Sequence, residues 1–188
     1  MCSRKISFFI LVDGYLSSSN LWYIKAVTPA FVFNLSKFIP KDLLGSRISS
    51  INKEIMSFFS IDCSTETSSL FVKIKNKTFC KVLQSDKSNN DILMKQILDF
   101  FSENNIQFQD ISKIYVNQGP GNFSGLRASL AVAKGIGLAK NLSLFGYSTF
   151  IWSCAKFFNK KDIICSFAEV RKKFFIQKFD KKLNIIEK

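Results

Sequence analysis

The sequence contains no histidine, and this absence excludes several classes of chemistry. Without an imidazole there is no Ser-His-Asp triad, no Cys-His dyad and no His-ligated metal site. Metallopeptidase chemistry of the H-E-x-x-H type is also excluded. The five cysteines form no C-x-x-C pair and their number is odd, which argues against a zinc site or a disulfide framework. A reducing compartment fits this cysteine usage best, so we expect a cytoplasmic protein.

Long apolar segments and arginines are scarce. The mostly apolar stretch 6–12 has seven residues, whereas a membrane-spanning helix needs about 20, so the sequence predicts no membrane contact. The 188 residues include 27 Lys and Arg against 14 Asp and Glu, a net charge of +13, but only four of the basic residues are arginines. Scattered lysines are typical of a solvated surface. The charge therefore permits contact with RNA or an acidic partner without establishing it.

Residues 1–55 lack the regular pattern of the rest of the chain. Arg4 and Lys5 before the apolar stretch resemble a weak signal peptide, but Asp13 and Gly14 end that stretch early. A second interpretation is that the functional start is Met56, just before a strong strand. A third is an extension that packs on the domain. We prefer the second, and treat 1–55 as an unassigned extension or start-site artefact.

From residue 56 onward, alternating and helical periodicities predict an α/β domain. Strands over 58–62, 68–75 and 78–83 form an antiparallel meander, and a helix over 90–104 follows. This helix carries one apolar stripe, with a core position expected for Met94 and Phe101; the stripe is Leu93, Met94, Ile97, Leu98 and Phe101. Strands over 113–118 and 142–146 alternate with helices over 124–139 and 150–158, which predicts at least three parallel strands. A last hairpin over 162–168 and 173–180 has apolar residues on both faces and should pack on something.

A glycine-rich turn joins the strand 113–118 to the following helix. Its sequence is Gly-Pro-Gly-Asn-Phe-Ser-Gly-Leu-Arg over 119–127, at a place where backbone N–H groups and the helix dipole favour an anion. We expect Ser124 to cap the helix. A tight connection without a ligand explains the glycines equally well. The helix itself is rich in Ala and Gly, and its interior Gly135 and Gly137 indicate close approach of another backbone.

A second candidate site follows the strand 58–62, where Asp62-Cys63-Ser64-Thr65-Glu66 enters a hairpin. Two carboxylates and two hydroxyls there could hold a metal-bound phosphate, and an ordinary polar turn is the alternative.

The two motifs together resemble the TsaB family, the bacterial tRNA threonylcarbamoyladenosine biosynthesis proteins of the actin-like/Hsp70-like ATPase superfamily. The similarity covers about residues 57–180 and is strongest over 114–148; a weaker match is Glu169 to Lys172. The resemblance implies an actin-like/ribonuclease-H-like fold with a first lobe over 56–160 and a partial second lobe over 161–188. Relatives usually continue into a fuller second lobe, so we expect a minimal hairpin here.

The resemblance also implies a non-catalytic scaffold subunit without catalytic residues or a metal. Such a subunit dimerises with a TsaD homologue and is joined by a TsaE homologue. The complex installs the threonylcarbamoyl group on adenosine 37 of tRNA. The resemblance therefore implies that this subunit meets tRNA through the complex. A homodimer is allowed when the subunit is alone. The resemblance assigns no cofactor to this subunit with certainty. It allows ATP or ADP with Mg to bind to the complex.

Two sets of site residues are carried over from this resemblance. The phosphate-binding-like set is Asp62, Ser64, Thr65, Glu66, Gly119, Gly121, Ser124, Gly125 and Arg127. The partner-interface set, on the helices 90–104 and 124–140, is Leu93, Ile97, Leu126, Leu130, Ala131, Ala133 and Lys134. The alternative function is a nucleotide-dependent transferase or phosphotransferase that uses Asp62 and the glycine turn. A peptidase is a third alternative, but it lacks a visible nucleophile-base pair.

Overall fold

The structure is a computed structural model that describes residues 7–12, 22–24, 57–65, 67–83, 89–159, 162–170 and 173–187. The prediction of Met56 as the functional start falls on a residue outside these ranges. The described elements form two five-stranded sheets and three α-helices. None of the described helices combines the length and the apolarity needed to cross a bilayer.

The first sheet, called here the central sheet, has the strand order β5-β4-β3-β6-β7. Its strands are β3 (Phe58–Asp62), β4 (Ser68–Ile74), β5 (Lys77–Leu83), β6 (Lys113–Asn117) and β7 (Ser143–Tyr147). β3, β4 and β5 pair antiparallel, whereas β3, β6 and β7 run parallel. The predicted meander and the three predicted parallel strands are therefore confirmed.

Two long helices cover one face of the central sheet. They are α1 (Asn89–Glu103) and α2 (Phe123–Lys140), and a 3₁₀ turn (Phe108–Asp110) follows α1. Alternate residues of β3 and β6, such as Phe59 and Ile114, point to this face and pack with Ile97 of α1 in the main core. The period of two in the strands and of 3.6 in the helices thus brings one apolar side of each element together.

The apolar stripe predicted on α1 is only partly buried. Leu93, Ile97 and Phe101 lie in the core, but Met94 and Leu98 are exposed, so the expected core position of Met94 is wrong. The helix rests on the sheet through a narrower stripe than the sequence suggests, and the flank that carries Met94 and Leu98 is exposed. That flank borders the groove described below.

A second sheet has the order β10-β9-β8-β1-β2 and is antiparallel in the pairings described. Its strands are β1 (Ser7–Val12), β2 (Trp22–Ile24), β8 (Ile163–Val170), β9 (Lys173–Asp180) and β10 (Ile185–Glu187). A short helix α3 (Thr149–Cys154), with a 3₁₀ turn (Ala155–Phe157) after it, packs on β8.

The second sheet is larger than the hairpin expected from the sequence. β1 pairs with β8 along its whole length, from Ser7 with Glu169 to Val12 with Ile164. Part of the unassigned segment 1–55 therefore supplies strands to this sheet. The division into an extension, a first lobe and a partial second lobe stays a prediction. The expected packing of the hairpin is found only in part, since Phe174, Phe175 and Ile176 are exposed.

Replacement of Ile97 by Ala tests the packing of α1. Ile97 is 0% exposed in the main core, so its truncation should lower the free energy of unfolding by about 3 kcal/mol. Leu98→Ala on the same helix is the matched control: Leu98 is 46% exposed and should lose less than about 1 kcal/mol. Urea unfolding followed by circular dichroism measures both. Equal losses in the two variants would contradict the orientation of α1.

Candidate functional site

The carboxyl ends of the three parallel strands bring polar side chains together. Asp62 ends β3, Asn117 ends β6 and Tyr147 ends β7, and the register places Asn117 beside Tyr147. In open α/β sheets this edge is where ligands bind, because the strands end there and their loops diverge. The sequence analysis identified Asp62 here but missed Asn117, Tyr147 and Thr149. The available signal was a polar residue at the end of each predicted parallel strand.

Both oxygens of the Asp62 carboxylate accept hydrogen bonds from the chain itself. Oδ1 accepts from the backbone N–H of Ser64 at 2.9 Å and from its hydroxyl at 2.6 Å. Oδ2 accepts from Nδ2 of Asn117 at 3.0 Å and from the hydroxyl of Tyr147 at 3.2 Å. A carboxylate offers about four acceptor positions. Asp62 is therefore saturated by neighbouring donors, and a metal ion or phosphate-bound water would have to displace one of them.

Asn117 connects this carboxylate to the loop that follows β6. Its side chain is buried, and Oδ1 accepts from the backbone N–H of Gly119 at 2.7 Å and from the hydroxyl of Thr149 at 2.9 Å. Its Nδ2 also donates to Oγ of Ser64 at 3.1 Å. Every donor and acceptor of the amide is used, as the low dielectric of a buried site requires.

The buried phenol of Tyr147 completes the network. Burial, followed by the neighbouring charge of Asp62, raises the pKa of Tyr147 well above its ordinary value. Tyr147 thus stays protonated at neutral pH and acts as a hydrogen-bond donor to the carboxylate. We refer to Asp62, Ser64, Asn117, Tyr147 and Thr149 as the strand-end network.

The glycine turn packs directly against the end of β3. The backbone N–H of Asn122 donates to the carbonyl oxygen of Ser64 at 2.7 Å. A Cβ at Gly121 would overlap that same carbonyl oxygen, and a Cβ at Gly125 would overlap the carbonyl oxygen of Cys63. The glycines therefore permit close approach of two segments of this chain, and the backbone of 63–64 occupies the space in front of the turn.

Gly119 is glycine for a different reason, its backbone conformation. Its φ of +96° lies in a region that residues with a Cβ rarely adopt, and the peptide bond that follows, to Pro120, is cis. The carbonyl oxygen of Gly119 accepts from the backbone N–H of Thr149 at 2.9 Å. The turn is thus tied to both neighbouring strand ends.

The remaining residues of the phosphate-binding-like set are dispersed. The hydroxyl of Thr65 donates to the backbone oxygen of Thr67 at 2.7 Å. The guanidinium of Arg127 lies 5.3 Å from the centroid of the exposed Phe123 ring. Ser124 does not cap α2: the helix begins at Phe123 and its N-cap residue is Asn122.

Glu66 of this set lies outside the described part of the chain, as do Arg171 and Lys172 of the weaker motif match. The structure thus brings together only part of the predicted set: Asp62, Ser64, Gly119, Gly121 and Gly125. Among the described residues, no group of three His, Cys, Asp or Glu side chains is placed to hold a metal ion.

The predicted interface residues separate into core and surface positions. Leu93, Ile97 and Ala133 are buried in the main core, so they offer no surface to a partner; their apolar side chains face the central sheet. Leu126 and Leu130 are half-buried. The exposed members of the set are Ala131 and Lys134.

An open groove is lined by one residue of α1, one residue of the following 3₁₀ turn and six residues of α2. It has a volume of about 440 Å³. Its lining residues are Met94, Phe108, Ala131, Val132, Gly135, Ile136, Ala139 and Lys140. No atom lies within 4 Å of the position that a Cβ on Gly135 would take, whereas at Gly137 the carbonyl oxygen of Leu142 is at 3.3 Å. The close approach expected from the glycines is thus found at Gly137 and not at Gly135.

These features define the class of protein. A sheet with an antiparallel meander and three parallel strands, helices on one face and polar residues at the strand ends is an actin-like/ribonuclease-H-like lobe. Two solved structures share the fold at a TM-score of 0.50. YeaZ from Pseudomonas aeruginosa is 15% identical, and the alignment covers 64% of each chain. A second, described as an uncharacterized protein with similarity to peptidase YEAZ from Pseudomonas aeruginosa, is 14% identical over 66% of this chain and 65% of that one.

Sequence comparison narrows this class. The family model described as TsaD: tRNA N6-adenosine threonylcarbamoyltransferase matches residues 84–168. A relative in Buchnera aphidicola subsp. Baizongia pistaciae is 35% identical over 92 residues, 48% of this chain and 39% of the relative. Another, in Escherichia coli K12, is 23% identical over 94 residues, 50% of this chain and 41% of the relative. Both are named tRNA threonylcarbamoyladenosine biosynthesis protein TsaB.

Over about half of its length, the chain is therefore similar in sequence to proteins named TsaB, and it shares the fold of the YeaZ structures. It spans about two-fifths of the length of these two curated relatives, with 39% and 41% of their residues matched.

Substitution of Gly125 by Ala tests the close packing of the glycine turn on β3. The added Cβ would overlap the backbone carbonyl oxygen of Cys63, so the variant should lose about 2 kcal/mol of unfolding free energy. Gly135→Ala is the matched control within the same helix. It has open space around the new methyl group and should gain about 1 kcal/mol from helix propensity. Thermal and urea unfolding measure the difference, and a destabilised Gly135→Ala variant would contradict the open groove.

Proposed function

We propose that this chain is a non-catalytic scaffold subunit of the apparatus that installs the threonylcarbamoyl group on adenosine 37 of tRNAs. It acts by pairing with a TsaD homologue, with a TsaE homologue joining the pair, and it works in the cytoplasm. The names of the curated relatives support the pathway. One contrast supports the scaffold role. The acceptor positions of Asp62 in the strand-end network are filled by the protein itself, whereas the groove between α1 and α2 is open.

The strand-end network favours a structural role over catalysis. An active carboxylate in this fold needs free acceptor positions for a metal ion or a phosphate-bound water. Asp62 has none, because Ser64, Asn117 and Tyr147 fill them. The glycine turn is likewise occupied by the backbone of 63–64 instead of presenting an open cradle.

The helix groove favours a partner helix as its occupant. Ala131, Gly135 and Ala139 are spaced four residues apart, so they lie on one face of α2 and form a lane of small residues. Small residues let helix axes approach closely, which increases the packing area of the neighbours. Met94 on α1 flanks this lane with a flexible apolar side chain that adapts to a partner surface. In the absence of TsaD, the same groove would accept a second copy of this chain.

A charge placed in the lane tests the pairing. Ala131→Glu puts a carboxylate on the floor of the groove, and its desolvation should lower co-purification with the TsaD homologue of the same cell at least tenfold. Leu138→Glu is the control: Leu138 is on the same helix, 86% exposed and outside the lining of this groove. Both variants are checked for a folded state by circular dichroism. Undiminished pairing of a folded Ala131→Glu variant would overturn the role of the groove.

The second candidate function is a nucleotide-dependent transferase, favoured by the position of Asp62 at the carboxyl ends of the parallel strands. The scaffold proposal predicts no measurable heat of binding for ATP with Mg²⁺ by isothermal titration calorimetry on the isolated chain. It also predicts that Asp62→Ala lowers the unfolding free energy by about 3 kcal/mol, since the donors of Asn117 and Tyr147 lose their acceptor.

Asp99→Ala, at an exposed position of α1, should leave the stability within about 0.5 kcal/mol. Tight ATP binding by the natural chain that is abolished in Asp62→Ala and retained in Asp99→Ala would support the transferase instead.

A further inference from the structure

The central sheet has two edge strands that differ in charge. β5 forms one edge and contains Lys77 and Lys81, and Lys81 forms an ion pair with Glu103 of α1 at 2.7 Å. β7 forms the other edge and has the sequence Ser-Leu-Phe-Gly-Tyr, without a charged residue or a proline. Lysines on an edge strand are a common protection against pairing with a further strand. β5 has this protection, and β7 does not.

The outer side of β7 presents backbone groups that an added strand could use. The carbonyl oxygen of Tyr147 accepts from the backbone N–H of Gln118, so the backbone of Tyr147 faces β6. Successive residues of a strand direct their N–H and C=O groups to opposite sides, so those of Leu144 and Gly146 face outward. In the described part of the chain, no strand pairs with that side of β7. Two donors and two acceptors are thus available there.

A cavity of about 380 Å³ lies beside this edge. Its lining residues are Lys134, Gly137, Leu138, Asn141, Leu142 and Leu144. Leu144 packs against the main core, so its side chain is on the face of the sheet that α2 covers. Paired residues of neighbouring strands point to the same face. A residue opposite Leu144 on an added strand would therefore direct its side chain into this cavity and cover Leu138, which is 86% exposed.

The protein around this edge is basic. The stretch 111–161, which includes β6, α2, β7 and α3, has seven Lys and Arg and no Asp or Glu. On the face opposite the cavity, Nζ of Lys113 lies 5.9 Å from the ring centroid of Phe145, and in the described residues Lys113 forms no ion pair. An acidic occupant is complementary to this surface. A second copy of the chain would bring the same positive charge to the contact.

We propose that the outer edge of β7 binds an extended segment of a protein partner in which apolar and acidic residues alternate. The backbone of this segment pairs with Leu144 and Gly146 and adds a sixth strand to the central sheet. Its apolar side chains enter the cavity beside Leu138, and its carboxylates lie near Lys113 on the other face. In strand addition, main-chain hydrogen bonds give affinity, and pockets for alternate side chains give specificity. This surface is separate from the groove of α1 and α2, so the inference does not depend on pairing with TsaD.

Fluorescence polarisation of a labelled decapeptide in which Glu and Val alternate, titrated with the purified full chain, tests this site. Leu138→Glu should weaken binding at least about tenfold, because it places a carboxylate in the wall of the cavity. Leu98→Glu is the matched control: Leu98 is an exposed leucine of α1, 46% accessible and outside the cavity lining. This control should change the affinity less than about twofold, since salt screens a distant surface charge. Equal effects of the two substitutions in folded variants would overturn the proposal.

Modified peptides test the strand pairing without any variant of the protein. One decapeptide is N-methylated at every Val and another at every Glu, so each keeps its charge and loses one set of N–H donors. Because only one set faces β7 in an added strand, at least one of the two peptides should bind about tenfold more weakly. Undiminished binding of both would show that charge alone acts and would overturn the proposal.

Other occupants of the edge give different results. Failure of the Glu-Val decapeptide to bind, or its displacement by single-stranded RNA at equal charge concentration, would contradict an acidic strand as the ligand. Sedimentation of the full chain tests a second copy. A dimer that Leu138→Glu disrupts and Leu98→Glu preserves would assign the edge to self-association and would also overturn the proposal.

Discussion

The hydrogen bonds of Asp62 and Asn117 hold together the part of the molecule on which the rest depends. Three parallel strands end beside one another, and each end must turn into a loop with different geometry. The carboxylate of Asp62 and the amide of Asn117 tie these ends to Ser64, Gly119, Tyr147 and Thr149 through six distinct donor groups. Because these groups are mostly buried, each bond is strengthened by the low dielectric, and each missing partner would be costly.

The same network determines what the carboxylate of Asp62 can contact. A carboxylate at the carboxyl ends of parallel strands is where this class of fold can bind a metal or a phosphate. Here its acceptor positions are filled by the protein, and the glycines of the turn accommodate the protein backbone. An open surface lies elsewhere, in the groove that Met94 of α1 and the small residues of α2 line.

Long-range pairing was the part of the fold that local patterns could not supply. The antiparallel pairing of Ser7–Val12 with β8 joins segments about 150 residues apart, and an apolar stretch does not specify its partner. The periodicity of α1 likewise indicated a stripe but not its covered width, since Met94 and Phe101 look equivalent in sequence. Only the folded structure decides that Phe101 packs against Phe59 and Phe108 and that Met94 borders a groove.

The sequence alone determined the class of fold, the bounds of most strands and helices and the place of the glycine turn. Alternation of apolar residues and glycine spacing are local properties, so they can be recognised in the sequence without knowledge of the fold. Tertiary structure decided what those residues do. It placed Asn117 and Tyr147 beside Asp62, set the backbone of 63–64 against Gly121 and Gly125, and left Gly135 uncovered. These outcomes depend on which segments meet in space, and close packing fixes that only when the whole chain is folded.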